Sequence, residues 1–154
     1  MFKELRRKDR KMDEKRTKSI LSSGEYGVLS MVSINGYGYG VPINYVLYKD
    51  AIYFHCACEG SKIDDMKANN RVSFCVIGSA EPVPKEFTTK YESVIVFGKA
   101  SEVEGLEKEE AFIALVDRFC HDFLAEGIES IRKNISATKI IRIDIEHITG
   151  KARA

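Results

Sequence analysis

A chain of 154 residues, 44% hydrophobic and 31% charged, is sized for one soluble domain spanning 1–154. A domain of this length buries roughly 70% of the surface its unfolded chain exposes and needs no covalent staples. No apolar run approaches the ~18 residues of a membrane span. The N-terminus, charged from Lys3 onward, lacks the apolar core of a secretory signal, so a cytoplasmic protein with no membrane partner is expected.

The formal net charge is +1, unevenly spread. Residues 1–18 hold nine Lys/Arg against four Asp/Glu, a net of +5, which leaves −4 for the remainder. A basic arm can bind nucleic acid. Here acids interrupt it, Phe2 is its one aromatic residue, and no helix-turn-helix, zinc-finger or RNA-binding signature follows. The arm reads as solvated or as covering an interface, with no nucleic-acid partner. The Cys56-x-Cys58 spacing is neither the redox C-x-x-C nor half of a four-cysteine zinc site. With Cys75 and Cys120, these thiols read as small hydrophobes, and no metal is expected.

In chain order, Asp13 or Thr17 caps a short helix ending near Gly24, with Ile20 and Leu21 as its buried pair. Residues 26–34 read as a strand, and Asn35-Gly36 is a strong hairpin signal. Residues 39–48 form the return strand. Pro42 within it implies an edge, a bulge or an unpaired position. Lys49-Asp50 turns the chain into a third strand, 51–56. A helix over 61–69 precedes a fourth strand, 71–77, whose near-continuous apolar run makes it central. Residues 78–89, holding Pro82 and Pro84, read as a loop whose Phe87-Thr88-Thr89 end folds over a neighbour. A long strand, 91–103, follows. The apolar stripe Ala111, Phe112, Leu115, Val116, Phe119 and Cys120 predicts a helix over 107–120. A second helix falls near 128–135. The last strand, 139–148, alternates Ile141, Ile143 and Ile145 with charged residues, and 149–154 is a tail. Six strands joined mostly by hairpins argue for a mainly β, antiparallel barrel with peripheral helices. The glycine-rich 36–40 stretch lies inside a hairpin and opens no helix, so it is no dinucleotide loop.

Chemistry concentrates in residues 52–62. Ile52, Phe54 and Cys56 share one face of a strand, and Tyr53, His55 and Ala57 the other. The strand breaks at Glu59-Gly60. Ser61 then opens a helix, which it can cap together with Asp64. Such a turn presents free amides and a helix dipole to an anion, with the Ser61 hydroxyl and the Lys62 ammonium beside them. A phosphate suits that site; an ordinary strand–turn–helix with a solvated lysine is the plain alternative. Cys120, His121 and Asp122 are consecutive on a helix and cannot converge as a triad. His147 reads as a core or interface residue.

The segments GVPINY (40–45), YFHCACEGSK (53–62), NNRVSFCV (69–76), FTTKYESVIVFGKA (87–100) and EHITGKAR (146–153) occur in this order. Together they closely resemble the pyridoxamine 5′-phosphate oxidase-related flavoproteins, above all the 5-nitroimidazole resistance branch. The resemblance covers essentially the whole chain. It implies a six-stranded FMN-binding split β-barrel that forms a homodimer, with FMN in two clefts at the subunit interface. By the same resemblance, Ser61 and Lys62 hold the FMN phosphate, and His55, Cys56 and Ala57 line its approach. Val41, Pro42, Ile43 and Asn44 run along the isoalloxazine edge, and Ser93 lies near the ring. Lys151 and Arg153 reach the flavin bound mainly by the partner. A cation near the N1–C2=O locus stabilises the anion of reduced flavin.

Where many members of the branch carry a histidine before the lysine, this chain has Ser61. It also lacks the basic set that pyridoxamine phosphate oxidases use for their substrate phosphate. The implied activity is electron transfer from a nicotinamide donor to a small-molecule oxidant such as a nitroaromatic. The alternatives are a flavin carrier or sensor without turnover, or a split barrel that binds haem.

Overall fold

The computed structural model describes residues 2–154. Seven strands form one antiparallel sheet: β1 (Tyr26–Val32), β2 (Gly38–Asn44), β3 (Val46–Tyr48), β4 (Ala51–Ala57), β5 (Arg71–Val83), β6 (Thr88–Val103) and β7 (Thr138–Arg153). Their order is β2-β1-β5-β6-β7-β4-β3. Four helices attach to it: α1 (Glu14–Ser23), α2 (Ser61–Ala68), α3 (Gly105–Cys120) and α4 (Leu124–Asn134). The expected class holds, mostly β with peripheral helices.

The strand count is seven, not six, because residues 39–48 do not form one strand. β2 pairs with β1, while β3 pairs with β4. These two strands are the opposite ends of the sheet, yet Tyr45 alone separates them. A sheet whose end strands are consecutive in the chain must curl until its ends meet. Past Tyr45, β2 and β4 part company, and the gap between them is the split in the barrel. Tyr45 is buried at its apex. Its ring meets Phe74 edge-on at 4.9 Å, and its hydroxyl donates to the Leu21 carbonyl.

Inside the curl, alternate residues such as Leu29, Phe54, Phe74, Val94, Val96 and Ile143 form the main core. Burying each large side chain contributes roughly 1.5–3 kcal/mol. Ile20 and Leu21 of α1 join that core. The Asp13 side chain caps α1 by accepting from the Arg16 amide at 2.7 Å, and Arg118 donates to the Ser23 carbonyl at its other end at 2.7 Å. A second cluster (Ala51, Tyr53, Val103, Ala111, Leu115, Ile140) seats α3 on the outer face of β4 and β7. The Lys49-Asp50 turn has positive φ at both residues, the form that matches the twist of a two-residue hairpin.

Two segments expected to be irregular are strand. Residues 78–89 continue β5 and β6 as a hairpin, with Val83 opposite Thr88 and a 3-10 turn at Pro84–Glu86. Proline is tolerated there because it falls at the end of a ribbon, where ladder bonds are few. All of the tail 149–154 but Ala154 belongs to β7, where Lys151 pairs with Ser93 and Arg153 with Tyr91. The N-terminal arm fastens it: the Met12 amide donates to the Gly150 carbonyl at 3.0 Å. A Cβ at Gly150 would lie 2.1 Å from Thr17 Oγ1, so only glycine permits that approach. No helix among the described residues is long and apolar enough to cross a membrane.

Candidate functional site

The split gathers the residues of the 52–62 stretch. A cavity of about 110 Å³ there is lined by Tyr39, Cys56, Ala57 and Glu59 to Ile63. α2 begins after Gly60, whose φ of +124° and ψ of 169° suit glycine alone. Gly60, not Ser61, is the N-cap, and no side chain caps the helix. The amides of Ile63 and Asp64 return to the Gly60 carbonyl at 2.9 and 3.2 Å. The amides of Ser61 and Lys62 are thereby the two first-turn donors left over. Lys62 takes part in none of the ion pairs among the described residues, unlike Lys49, Lys99 and Lys139. Two amides, a hydroxyl and an ammonium thus converge on one small concavity.

Cys56 lies in the core beneath this turn. Burial pushes its thiol up, and the charge of Lys62 is the largest opposing influence. His55 is on the other face of β4, its ring 6.4 Å from that of Phe112 in α3, and does not line the cavity. Ala57 is exposed at the rim. Val41, Pro42, Ile43 and Asn44 lie on β2, which has β1 as its one neighbour, so its other edge faces the split. Pro42 falls on this end strand, as expected. The Asn44 amide is engaged with the Glu25 carbonyl at 2.7 Å, which fixes the end of β2.

Tyr39 lines the cavity from β2 and was missed by the sequence reading. Counting back through the β3–β4 register, which pairs Val46 with Tyr53, would have placed it level with Gly60. Asp65 was missed as well. Buried on α2, it accepts from Ser33 Oγ at 3.1 Å and the Ile34 amide at 3.0 Å, tying the helix to the β1–β2 turn, while its second oxygen has no protein partner.

Ser93, Lys151 and Arg153 lie elsewhere. Ser93 and Lys151 are register partners. The Lys151 ammonium sits 5.9 Å from the centre of the Tyr91 ring. Burial raises the Tyr91 phenol, but hydrogen bonds and charge from Arg10 and Lys151 outweigh it and hold the group below its usual range. On β7, Ala57 of β4 pairs with Thr138, thirteen residues before Lys151. At ~3.3 Å per residue that is roughly 40 Å of strand. One chain does not bring the two sets together.

A larger cavity, about 590 Å³, is on the outer face of the sheet, bordered by Phe2, Ser30, Arg71, Ser73, Phe97 and Lys99. It holds no converging amides, and Lys99 within it is paired with Glu146 at 3.4 Å. The split is the better candidate because its unpaired lysine stands beside an uncapped helix start, whereas Arg71 and Lys99 border the larger cavity without one.

A curled antiparallel sheet, split at one seam and carrying an anion-ready helix start, defines the split-barrel class. A family model described as pyridoxamine 5′-phosphate oxidase matches residues 13–152, and the chain belongs to that family. A candidate 5-nitroimidazole antibiotic resistance protein from Bacteroides thetaiotaomicron shares the fold, with a TM-score of 0.75 and 24% identity over 90% of this chain and 83% of that one. So does an FAD-binding protein from Mesorhizobium loti, with a TM-score of 0.64 and 22% identity over 94% and 98%. An FAD- and haem-binding protein from Mycobacterium smegmatis has a TM-score of 0.78 and 20% identity over 91% and 71%. No curated protein sequence matches significantly.

Proposed function

We propose that this chain is an FMN-binding flavoprotein that works as a homodimer and passes electrons from a nicotinamide donor to a small oxidant such as a nitroaromatic. The observation that carries the reading is the Gly60-Ser61-Lys62 turn, whose unspent donors face a cavity of about 110 Å³ beside the free edge of β2. A phosphate monoester suits it: Lys62 supplies the charge, and the amides of Ser61 and Lys62 supply oriented donors. The outer edge of β2 at 41–44 offers backbone groups to the polar rim of a flat ring. Haem is a poorer match, since its iron calls for an axial ligand such as imidazole or thiolate. His55 faces α3, and Cys56 is buried in the core.

The same geometry supports the homodimeric reading. Ser93, Lys151 and Arg153 lie at the far end of β7 from the split, so they meet a ligand held there only when supplied by a second copy. The outer face of β5 and β6 suits that contact, because Ile77, Ile95 and Phe97 are exposed on it. FMN when bound supplies the hydride and electron chemistry. Lys62 and the helix start fix its phosphate, β2 orients the ring edge, and Lys151 or Arg153 of a second copy supplies positive charge. Pyridoxamine 5′-phosphate oxidation is not proposed, since the cations for a second phosphate are missing at the split.

The test is the visible absorption spectrum of the purified protein before and after adding FMN, followed by desalting. A retained flavin double band is expected, and it should bleach with NADH or NADPH and recover with a nitroaromatic. A protein that stays colourless and keeps no added FMN overturns the reading. Flavin that is retained but never reduced by either nucleotide leaves a carrier or sensor.

A further inference from the structure

Beyond Glu92, β5 and β6 leave the barrel as a ribbon. Tyr91 and Glu92 still have β7 beside them, paired with Arg153 and Ala152. Past these, Glu81–Lys90, Pro82–Thr89 and Val83–Thr88 pair only with each other before the turn at Pro84–Glu86. This two-stranded tip extends about 10 Å past the end of β7 at ~3.3 Å per residue. Residues 77–82 of β5 are all exposed, and past Tyr91, which meets Lys151 and Arg10 at the base of the ribbon, the tip pairs with no third strand among the described residues. Two-stranded ribbons alone are marginal in water. At the apex stands Phe87, 97% exposed, with φ of +51°, a backbone conformation a bulky side chain rarely adopts without a reason. An aromatic knob fully exposed at the end of a ribbon is a group suited to docking on a surface.

Position says which surface. The ribbon grows from the end of the sheet that carries Ser93 and Lys151. Its own split, at the Ala57–Thr138 end of β7, is out of reach. The exposed Ile77 and Ile95 at its base continue the face assigned above to a second copy. We propose that residues 79–91 are an arm that lies over the split of a second copy, with Phe87 as an aromatic cover on the flavin site there. This rests on the homodimeric flavin reading and adds a residue that sets which planar acceptors fit.

The chain contains no tryptophan, so Phe87→Trp gives a single reporter at a position with no packing to disturb. In the FMN-free protein, emission of a buried indole is expected, with acrylamide quenching several-fold below that of a free indole. Both signatures should vanish as dilution separates the dimer, and FMN should quench the indole in step with its binding. Solvent-like emission in a dimer that visibly retains FMN overturns the arm and leaves the flavin reading standing. A buried signal that persists in the monomer also overturns it. If no FMN is retained, the flavin reading falls, and the dilution series still decides whether the arm docks on a second copy. A mixture of Phe87→Ala and Lys62→Ala chains is the second check. An arm acting between subunits restores one complete, low-KM site per heterodimer, whereas an arm acting within its own chain restores none.

Discussion

Under α3, the Glu107 carboxylate accepts from Tyr53 at 2.8 Å and from Arg142 at 2.7 Å. At the Gly60-Ser61-Lys62 turn, two amides, a hydroxyl and an ammonium face no acceptor. The Arg142 guanidinium is further occupied by Asp144, which accepts from Nη2 at 3.2 Å. Nε lies 3.0 Å from the same carboxylate, an ion contact without the alignment of a hydrogen bond. Nearby, Lys49 meets Glu110 at 2.8 Å. Both regions are polar and both border β4. In the first, every charge has a partner in the chain, so its work is to hold α3 in place. In the second, donors are concentrated without acceptors, which costs stability unless water or a ligand answers them. Satisfied polarity marks scaffold here, and the unspent donors are what make the turn the candidate site.

Removing a donor from the unsatisfied region should therefore cost binding. Lys62→Ala is expected to weaken FMN retention by about 10- to 100-fold, the size of one charged hydrogen bond at ~1.5–3 kcal/mol. Its melting temperature should barely move, because Lys62 takes part in no ion pair among the described residues. Flavin titration beside thermal melting checks both. Equal loss in both would make the lysine structural.

Gly60→Ala tests the backbone of the same turn. A Cβ at Gly60 meets no atom within 4 Å, so the cost is conformational alone, about 1–3 kcal/mol. Denaturant unfolding should show that loss, and flavin binding should fall with it as the two amides turn away.

Tyr45→Phe probes the apex of the split, where a buried hydroxyl serves the Leu21 carbonyl. Leaving that carbonyl unpaired should cost about 1–2 kcal/mol. Burial pushes the Tyr45 phenol from 10.0 up to about 12. A group raised on folding gives stability that is whole below its unfolded pKa and is lost as pH rises through the folded one. Wild-type stability should then fall between pH 10 and about 12, and Tyr45→Phe should flatten part of that slope. Tyr53, also raised to about 12, accounts for a further part.

Glu107→Gln addresses the satisfied region and should have the smallest effect. Hydrogen bonds from Tyr53 and then Arg142 hold the Glu107 carboxyl below the usual carboxylate range. Such a group stabilises above its unfolded pKa, and the contribution is lost as pH falls through the lowered folded value. With over a third of the side chain exposed, the change should stay below ~1 kcal/mol near neutrality. Melting curves from pH 7 down to 3 should be shallower for the variant, and FMN binding should be untouched.

The sequence by itself determined whatever depended on near neighbours. Alternation in 26–34 and 51–56, the Asn35-Gly36 and Lys49-Asp50 turns, the α3 stripe and the break at Gly60 are all local, because side-chain period and turn φ are set within a few residues. The helix start after Gly60 was legible for that reason, although its cap was assigned one residue late. Strand parity also put His55 and Cys56 on opposite faces, and of the two Cys56 lines the cavity. What depended on distant partners had to wait for the fold. Whether 39–48 is one strand or two is decided by its pairing with both β1 and β4. Residues 149–153 become strand because they ladder with residues 91–95 of β6. Tyr39 joins residues 56–63 only across the split, and the ribbon at 79–91 is ordered by its ladder despite two prolines. Tertiary structure alone decided these, since hydrogen bonds between residues far apart in sequence leave no local pattern to read.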